Sequence, residues 1–328
     1  MSKVKQLLQA AALSTMLPSA ALAQTYELNV GHVLSENSSY QSGMSYFANM
    51  MAERTNGDFK TNIFSSAGLG GELRLVQGGM TGTVDAFIIG QPSLESTIPE
   101  FKILSLPFLF ESEAQAVALL RGSFGQKFLD LLPDRNLIGL GWAGVFSRGL
   151  PANRPIASLE DLVGMKVRVM QSPGYVETFV ALGSQPTPIA FGELFTSLQT
   201  GVVDATDLSP DLVISGRFTD AISHYSKMSL HQLPSIFIIS KSKFDSFPQE
   251  IQTLVLEVGR EATMVAIVEQ RRAMAAGFET MAAAGIQISE PDQGQFVEAA
   301  KRAWPIILTD VPNADTYLSD LEAAKKAQ

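Results

Sequence analysis

The residues of this chain that could do chemistry are few, and two of them are arginines. Arg148 stands in "GVFSRGL" and Arg168 in "GMKVRVM". The second segment alternates as a strand does, with Val167 and Val169 on one face and Lys166, Arg168 and Met170 on the other. An arginine there is either a solvated or locally paired charge, or a buried guanidinium whose planar fork binds a carboxylate through two parallel bonds. Spacing does not choose between the two. The hexamer "GLGWAG" (139–144), just before Arg148, matches G-x-G-x-x-G, and Glu160 and Asp161 fall about 20 residues on, where a dinucleotide turn wants an acid. That turn also needs a helix opening inside it, to face the pyrophosphate. The chain continues instead as "VFSRGLPANRPIASL", whose prolines Pro151 and Pro155 and β-branched start let no helix open. Ser158 and Asp161 have capping-box spacing, which gives that acid a local task. The glycines fit better as a place where strands cross closely between domains.

Other chemistries find less support. The chain has no cysteine, so it has no disulfide, no thiolate nucleophile and no thiolate-held metal. Its histidines are His32, His224 and His231, and their spacing matches no metal motif. There is no G-x-S-x-G and no P-loop. No cofactor and no metal are expected, and the expectation is binding rather than catalysis. The formal charge of −9 argues against nucleic acid and anionic lipid as partners, but not against an anionic small ligand held by local arginines.

Residues 1–23 have the layout of a secretory signal peptide: Lys3 and Lys5, the apolar run "LLQAAALSTML", then Ala21-Leu22-Ala23 as a cleavage site. Cleavage there leaves 305 residues, enough for about two domains, with a formal charge of −11.

The elements that must position the arginines read as α/β. "YELNVGHV" predicts an opening strand, "SYQSGMSYFANMMAERTNGDF" a helix stopped at Asn56-Gly57, "KTNIF" a strand, "GGELRLVQGGMTG" a helix and "TVDAFIIG" a buried strand. This β-α-β-α-β order implies a mostly parallel sheet flanked by helices. "TGTVDAF" (81–87) is echoed by "TGVVDAT" (200–206). The echo is either a coincidence of common turns or the mark of two lobes built on one plan. "SIFIISKSKF" predicts a strand returning to the first lobe. From Pro248 to about residue 284, Ile251, Leu254, Val255, Val258, Ala262, Val265 and Ala266 keep helical spacing. Such a helix is roughly 55 Å long, enough to cross two domains. Two lobes with a bracing helix describe a hinged cleft, with ligand at the carboxyl ends of the strands.

Several long segments, in order, carry a resemblance to a known family. "AGLGGELRLVQGGMTGTVD" (67–85), "IPEFKILSLPFLF" (98–110), "PIASLEDLVGMKVRV" (155–169) and "IAFGELFTSLQTGVVDATD" (189–207) resemble the DctP-type solute-binding proteins of tripartite ATP-independent periplasmic (TRAP) transporters. The resemblance implies a two-lobed periplasmic-binding-protein fold, each lobe a sheet flanked by helices. The lobes would comprise 24–145 with about 234–273, and 146–233 with about 274–328, the long helix crossing both. It implies a periplasmic monomer, not an enzyme, that captures a small organic acid and delivers it to a membrane permease for secondary-active uptake. Arg168 would pair with the ligand carboxylate, Arg148 would add a second contact, Phe191 would line the pocket, and Glu193 would support the arginines. Gln91 and His32, at strand ends of the first lobe, are further candidates, each with an equal structural reading. The family pattern V-D-G-Q-E-N-P here reads "VDATDLSP", placing Leu208 where an asparagine helps hold the carboxylate. Leucine donates no hydrogen bond, so the clamp needs another partner and that wall becomes apolar. This departure favours a hydroxy, keto or aromatic monocarboxylate over C4-dicarboxylates and sialic acids. The binding protein of an ATP-driven importer is the alternative, and a periplasmic NAD-dependent enzyme a weaker one.

Overall fold

The computed structural model describes residues 25–327, so the expected signal peptide lies outside the described residues. Among the described residues, eleven strands form two sheets. The first contains β1 (Tyr26–Gly31), β2 (Phe59–Phe64), β3 (Ala86–Gly90), β4 (Leu137–Ser147) and β10 (Gln232–Ser240), in the order β2-β1-β3-β10-β4. The second contains β5 (Leu150–Ala152), β6 (Lys166–Val169), β7 (Gln185–Pro188), β8 (Ala205–Thr206), β9 (His224–Ser226) and β11 (Gln287–Ser289), in the order β11-β9-β5-β8-β6-β7. The two orders run alike. β2, β1 and β3 are parallel and β10 joins antiparallel. β7, β6 and β8 are parallel and β5 joins antiparallel. The echo in the sequence is therefore a repeated plan. Asp85 precedes β3, and its carboxylate accepts from the Asn29 amide of β1 at 2.8 Å. Asp204 precedes β8, and its carboxylate accepts from the Lys166 amide of β6 at 3.2 Å.

The chain passes between the sheets three times, from β4 to β5 at Arg148-Gly149, from β9 back to β10 before Gln232, and from β10 to β11 through a long helix; the first two crossovers lie side by side. They touch where the Arg148 amide donates to the His231 carbonyl at 2.9 Å. The hexamer 139–144 lies wholly inside β4. Gly141 (φ 149°) and Gly144 (φ 148°) hold backbone angles that disfavour a side chain, beside irregular pairing with β10. A Cβ on Gly141 would also come within 3.0 Å of Thr263 Oγ1 on the helix covering the strand. Close packing of helix on strand accounts for Gly141, and the backbone angle alone for Gly144.

That helix is Gln249–Ala283, matching the span expected from its apolar spacing. It packs on β4 and the helix Ser39–Arg54 in the first lobe and on the helix Pro210–Ser215 in the second. One segment departs from the expected allocation. The final helix Ala314–Lys326 packs on the first-lobe helices Glu113–Arg121 and Ser123–Leu129, through a Phe128–Tyr317 ring contact at 5.1 Å and the Lys127–Asp320 pair. Lys102, a buried first-lobe lysine, likewise reaches Asp310. No helix among the described residues is long and apolar enough to cross a membrane.

Candidate ligand-binding cleft

Between the lobes lies a narrow cleft of about 40 Å³. The first lobe contributes Tyr40, Glu72, Ser93 and Phe146; the second contributes Arg168, Phe191 and Leu212, with Arg148 at the crossover. Local sequence sets these positions. Ser38 caps the helix that carries Tyr40, its oxygen accepting from the Gln41 amide. Glu72 opens the helix Glu72–Thr81, where a negative charge complements the helix dipole. Arg168 stands on β6 between Val167 and Val169, all three buried.

The two guanidiniums are almost wholly removed from solvent, at 4% exposure for Arg148 and 2% for Arg168. Their bonds to protein are few. Arg148 Nη1 donates to the Asp207 carbonyl at 3.0 Å, and Arg168 Nε donates to the Ile189 carbonyl at 2.9 Å. Arg148 Nε and Arg168 Nη1 have no protein acceptor. Burial and the neighbouring Arg148 charge bring Arg168 down to about 10, so it remains protonated at neutral pH. Two desolvated cations side by side with free N–H groups are costly alone and suited to an anion.

Behind them sits a buried polar cluster. Asp207 Oδ2 accepts from His231 Nδ1 at 3.1 Å, and the His231 ring stacks on Tyr175 with centroids 4.0 Å apart. Burial alone would raise Asp207, but Arg148, the His231 hydrogen bond and Arg168 hold its carboxyl below the usual range. Burial lowers His231 despite its bond to Asp207, keeping the ring neutral. Glu95 of the first lobe accepts from the Gly174 amide of the second at 2.9 Å, tying the lobes together.

Of the residues expected at the site, Arg148, Arg168 and Phe191 meet at the cleft. Leu208, Gln91 and His32 do not line it. Leu208 is fully buried and its backbone pairs with Gly149, while its carbonyl also accepts from Tyr225 Oη at 2.9 Å. Gln91 turns into the protein and donates to Ser105 Oγ at 2.7 Å. His32 faces Gln41, with Nε2 3.0 Å from its Oε1. Glu193 is exposed and outside the cleft. The residue overlooked was Glu72. Its Oε1 accepts from the Gly90 amide at 2.9 Å and its Oε2 from Ser93 Oγ at 2.5 Å. The signal was present, since a glutamate at a helix start following a strand stands at the carboxyl edge of the sheet.

Two similar lobes, joined by three crossings of the chain and meeting at a cleft that holds two buried arginines, define a receptor for a small anion. The chain belongs to the bacterial extracellular solute-binding proteins, family 7 (DctP), whose model matches residues 30–309. It is 27% identical over 323 residues to the 2,3-diketo-L-gulonate-binding periplasmic protein of Escherichia coli, covering 95% of each chain. It is 24% identical over 327 residues to the C4-dicarboxylate-binding periplasmic protein of Rhodobacter capsulatus, covering 98% of this chain and 96% of that one. Its fold is similar to that of the sugar acid binding protein of Advenella mimigardefordensis solved with galactonate, with a TM-score of 0.88, 26% identity, and coverage of 93% and 99%.

Proposed function

We propose that the cleft captures the carboxylate of a small organic acid between Arg168 and Arg148, and that the loaded protein delivers it in the periplasm to a TRAP membrane permease. The observation that carries this reading is the pair of buried guanidiniums facing one cleft with N–H groups that no protein atom accepts. A carboxylate supplies two acceptors and one negative charge, which matches that deficit. Contacts from both lobes favour the closed form, and that differential affinity drives closure. The acid leaves unchanged, so the protein acts without catalysis. Sugar acids, bound or named for relatives of the same fold, belong to this ligand class.

The test is Arg168→Ala, titrated calorimetrically with acids returned by a thermal-shift panel. Leaving the carboxylate half-paired costs roughly 2–5 kcal/mol, a loss of some 30- to 4,000-fold in affinity. The variant should retain its circular-dichroism spectrum and cooperative melting. Wild-type affinity in a folded Arg168→Ala protein would remove Arg168 from the clamp.

A further inference from the structure

The short helix Pro210–Ser215 borders two open spaces. Its Leu212 lines the acid cleft, while its Asp211 and Ile214 line a separate groove of about 270 Å³. The long helix adds Ala273, Ala276, Gly277 and Thr280 to that groove, and the first lobe adds Asn37. Asp211 is only 6% exposed, and its Oδ1 has no hydrogen-bond partner. Ser209 Oγ, two residues back, is likewise buried without one. Arg148 acts on Asp211 through its field and not through a hydrogen bond. A buried carboxylate left in this way is costly, and burial raises its pKa to about 6.

We propose that this groove is a second binding site, which takes a small alkylammonium ion with its ammonium group on Asp211 and its carbon chain against the small apolar residues of the long helix. The chemistry of the lining selects that class. Asp211 supplies one negative charge, and among the described residues no group of three or more His, Asp or Glu could hold a metal ion. Ile214, Ala273, Ala276 and Gly277 offer carbon rather than oxygen, which suits an alkyl chain and not a hydrated inorganic ion. An ammonium group has three donors and no acceptor. Asp211 Oδ1 can accept one of them. Thr280 Oγ1 gives its own proton to the Ala276 carbonyl at 2.9 Å, so its lone pairs can accept another. Arg217 also lines the groove, but it is exposed, and water and salt screen its charge. The ligand thus brings the partner that the buried carboxylate lacks.

The test is calorimetric titration with n-butylammonium chloride at pH 7.5, above the value of about 6 for Asp211, so that the carboxylate carries its charge. Sodium chloride at equal ionic strength and 1-butanol serve as controls for the charge and the chain. Butylammonium should bind saturably with a Kd of about 1 mM, as suits a ligand of few atoms held by one charge pair, and neither control should match it. Asp211→Asn keeps the size of the side chain, removes its charge and should weaken binding by about 10-fold or more. Ala276→Leu keeps the carboxylate, fills the groove from the long helix and should weaken binding by about as much. Circular dichroism and cooperative melting check that each variant folds. No saturable binding of butylammonium up to about 50 mM overturns the proposal. So does 1-butanol binding as well as butylammonium, or wild-type affinity in either folded variant. Acid capture at Arg168 is decided by its own titration and stands whatever this one returns.

Discussion

The two lobes share a plan and differ in chemistry. In each, a parallel trio of strands is extended by one antiparallel strand arriving from the other lobe. In each, a serine caps the helix after the first strand of the trio, Ser38 in one and Ser172 in the other, and a buried tyrosine stands in the first turn, Tyr40 and Tyr175. The turn after the outer strand then diverges: the first lobe places Glu72 there, the second Phe191. Both arginines are held by second-lobe elements or the crossover, and both donate to second-lobe carbonyls. A repeated backbone thus fixes where side chains can meet the ligand, and substitutions at matching points divide the work. The second lobe and the crossover supply both cations of the cleft, and the first lobe supplies its carboxylate, Glu72.

The long helix gives the strongest way to break that comparison, because it meets both lobes through glycine. A Cβ on Gly259 would come within 2.8 Å of Leu140 in β4. One on Gly277 would come within 2.7 Å of Pro210 Cβ and 2.9 Å of its carbonyl carbon. Gly259→Leu and Gly277→Leu should each destabilise by about 3 kcal/mol, since both overpack a close crossing. Their effects on binding should differ. Pro210 opens the short helix that carries Leu212 into the cleft, so Gly277→Leu should also weaken acid binding by about 10-fold. Gly259→Leu should leave the affinity of the folded fraction near wild type. Urea unfolding and calorimetry on both variants check this, and equal binding losses would show the helix bracing the lobes as one body.

Two aspartates four residues apart sharpen the electrostatic half of the contrast. Asp207 is held below its ordinary value of 3.8, so its favourable contribution is present above about pH 4 and is lost as pH falls through its folded pKa. Asp211 is raised by burial from 3.8 to about 6. Between those values the native state keeps a proton the unfolded chain has released, so stability falls as pH rises, and the full cost is felt above pH 6. Asp211→Asn should therefore raise stability by about 1–3 kcal/mol at pH 7.5 and by almost nothing at pH 3.5. The difference in unfolding free energy between variant and wild type, measured from pH 3.5 to 7.5, isolates that one group. A flat difference would show that Asp211 is not desolvated.

Much of this was legible in the sequence, for identifiable reasons. The repeated Gly–x–Val–Asp turns mark the two lobes because each aspartate accepts from a backbone amide of the neighbouring parallel strand. The long helix shows itself because its apolar spacing must serve both lobes. Arg148 and Arg168 were legible as candidates, but spacing alone left solvated and buried readings open, and burial is a property of the folded surroundings. Gln91, His32 and Leu208 show where strand-end reasoning stops. Each stands at the correct edge of a sheet, yet Ser105, Gln41 and Gly149 claim them first. Glu72 was legible by position, at a helix start on the carboxyl edge of the sheet, but nothing local distinguishes a glutamate that only opens a helix from one that also lines a cleft. The return of Ala314–Lys326 to the first lobe depends on distant partners, Phe128 and Lys127, that no local pattern announces.

Phe191 gives the smallest expected effect and the finest division between the lobes. Its ring is partly buried and meets Phe218 edge-on, with centroids 5.8 Å apart, which fixes it as a wall of the cleft. Truncation to alanine removes apolar contact with the ligand and should cost about 1–2 kcal/mol, near 10-fold in affinity. Phe191→Leu should recover most of that loss, since it restores area without charge. The ring has no charge to set against a second carboxylate, so monoacid and diacid should weaken alike and their ratio should hold. Calorimetry of one matched acid pair against Phe191→Ala and Phe191→Leu checks this. A shifted ratio would show that the ring also selects among acids through the shape it gives the cleft.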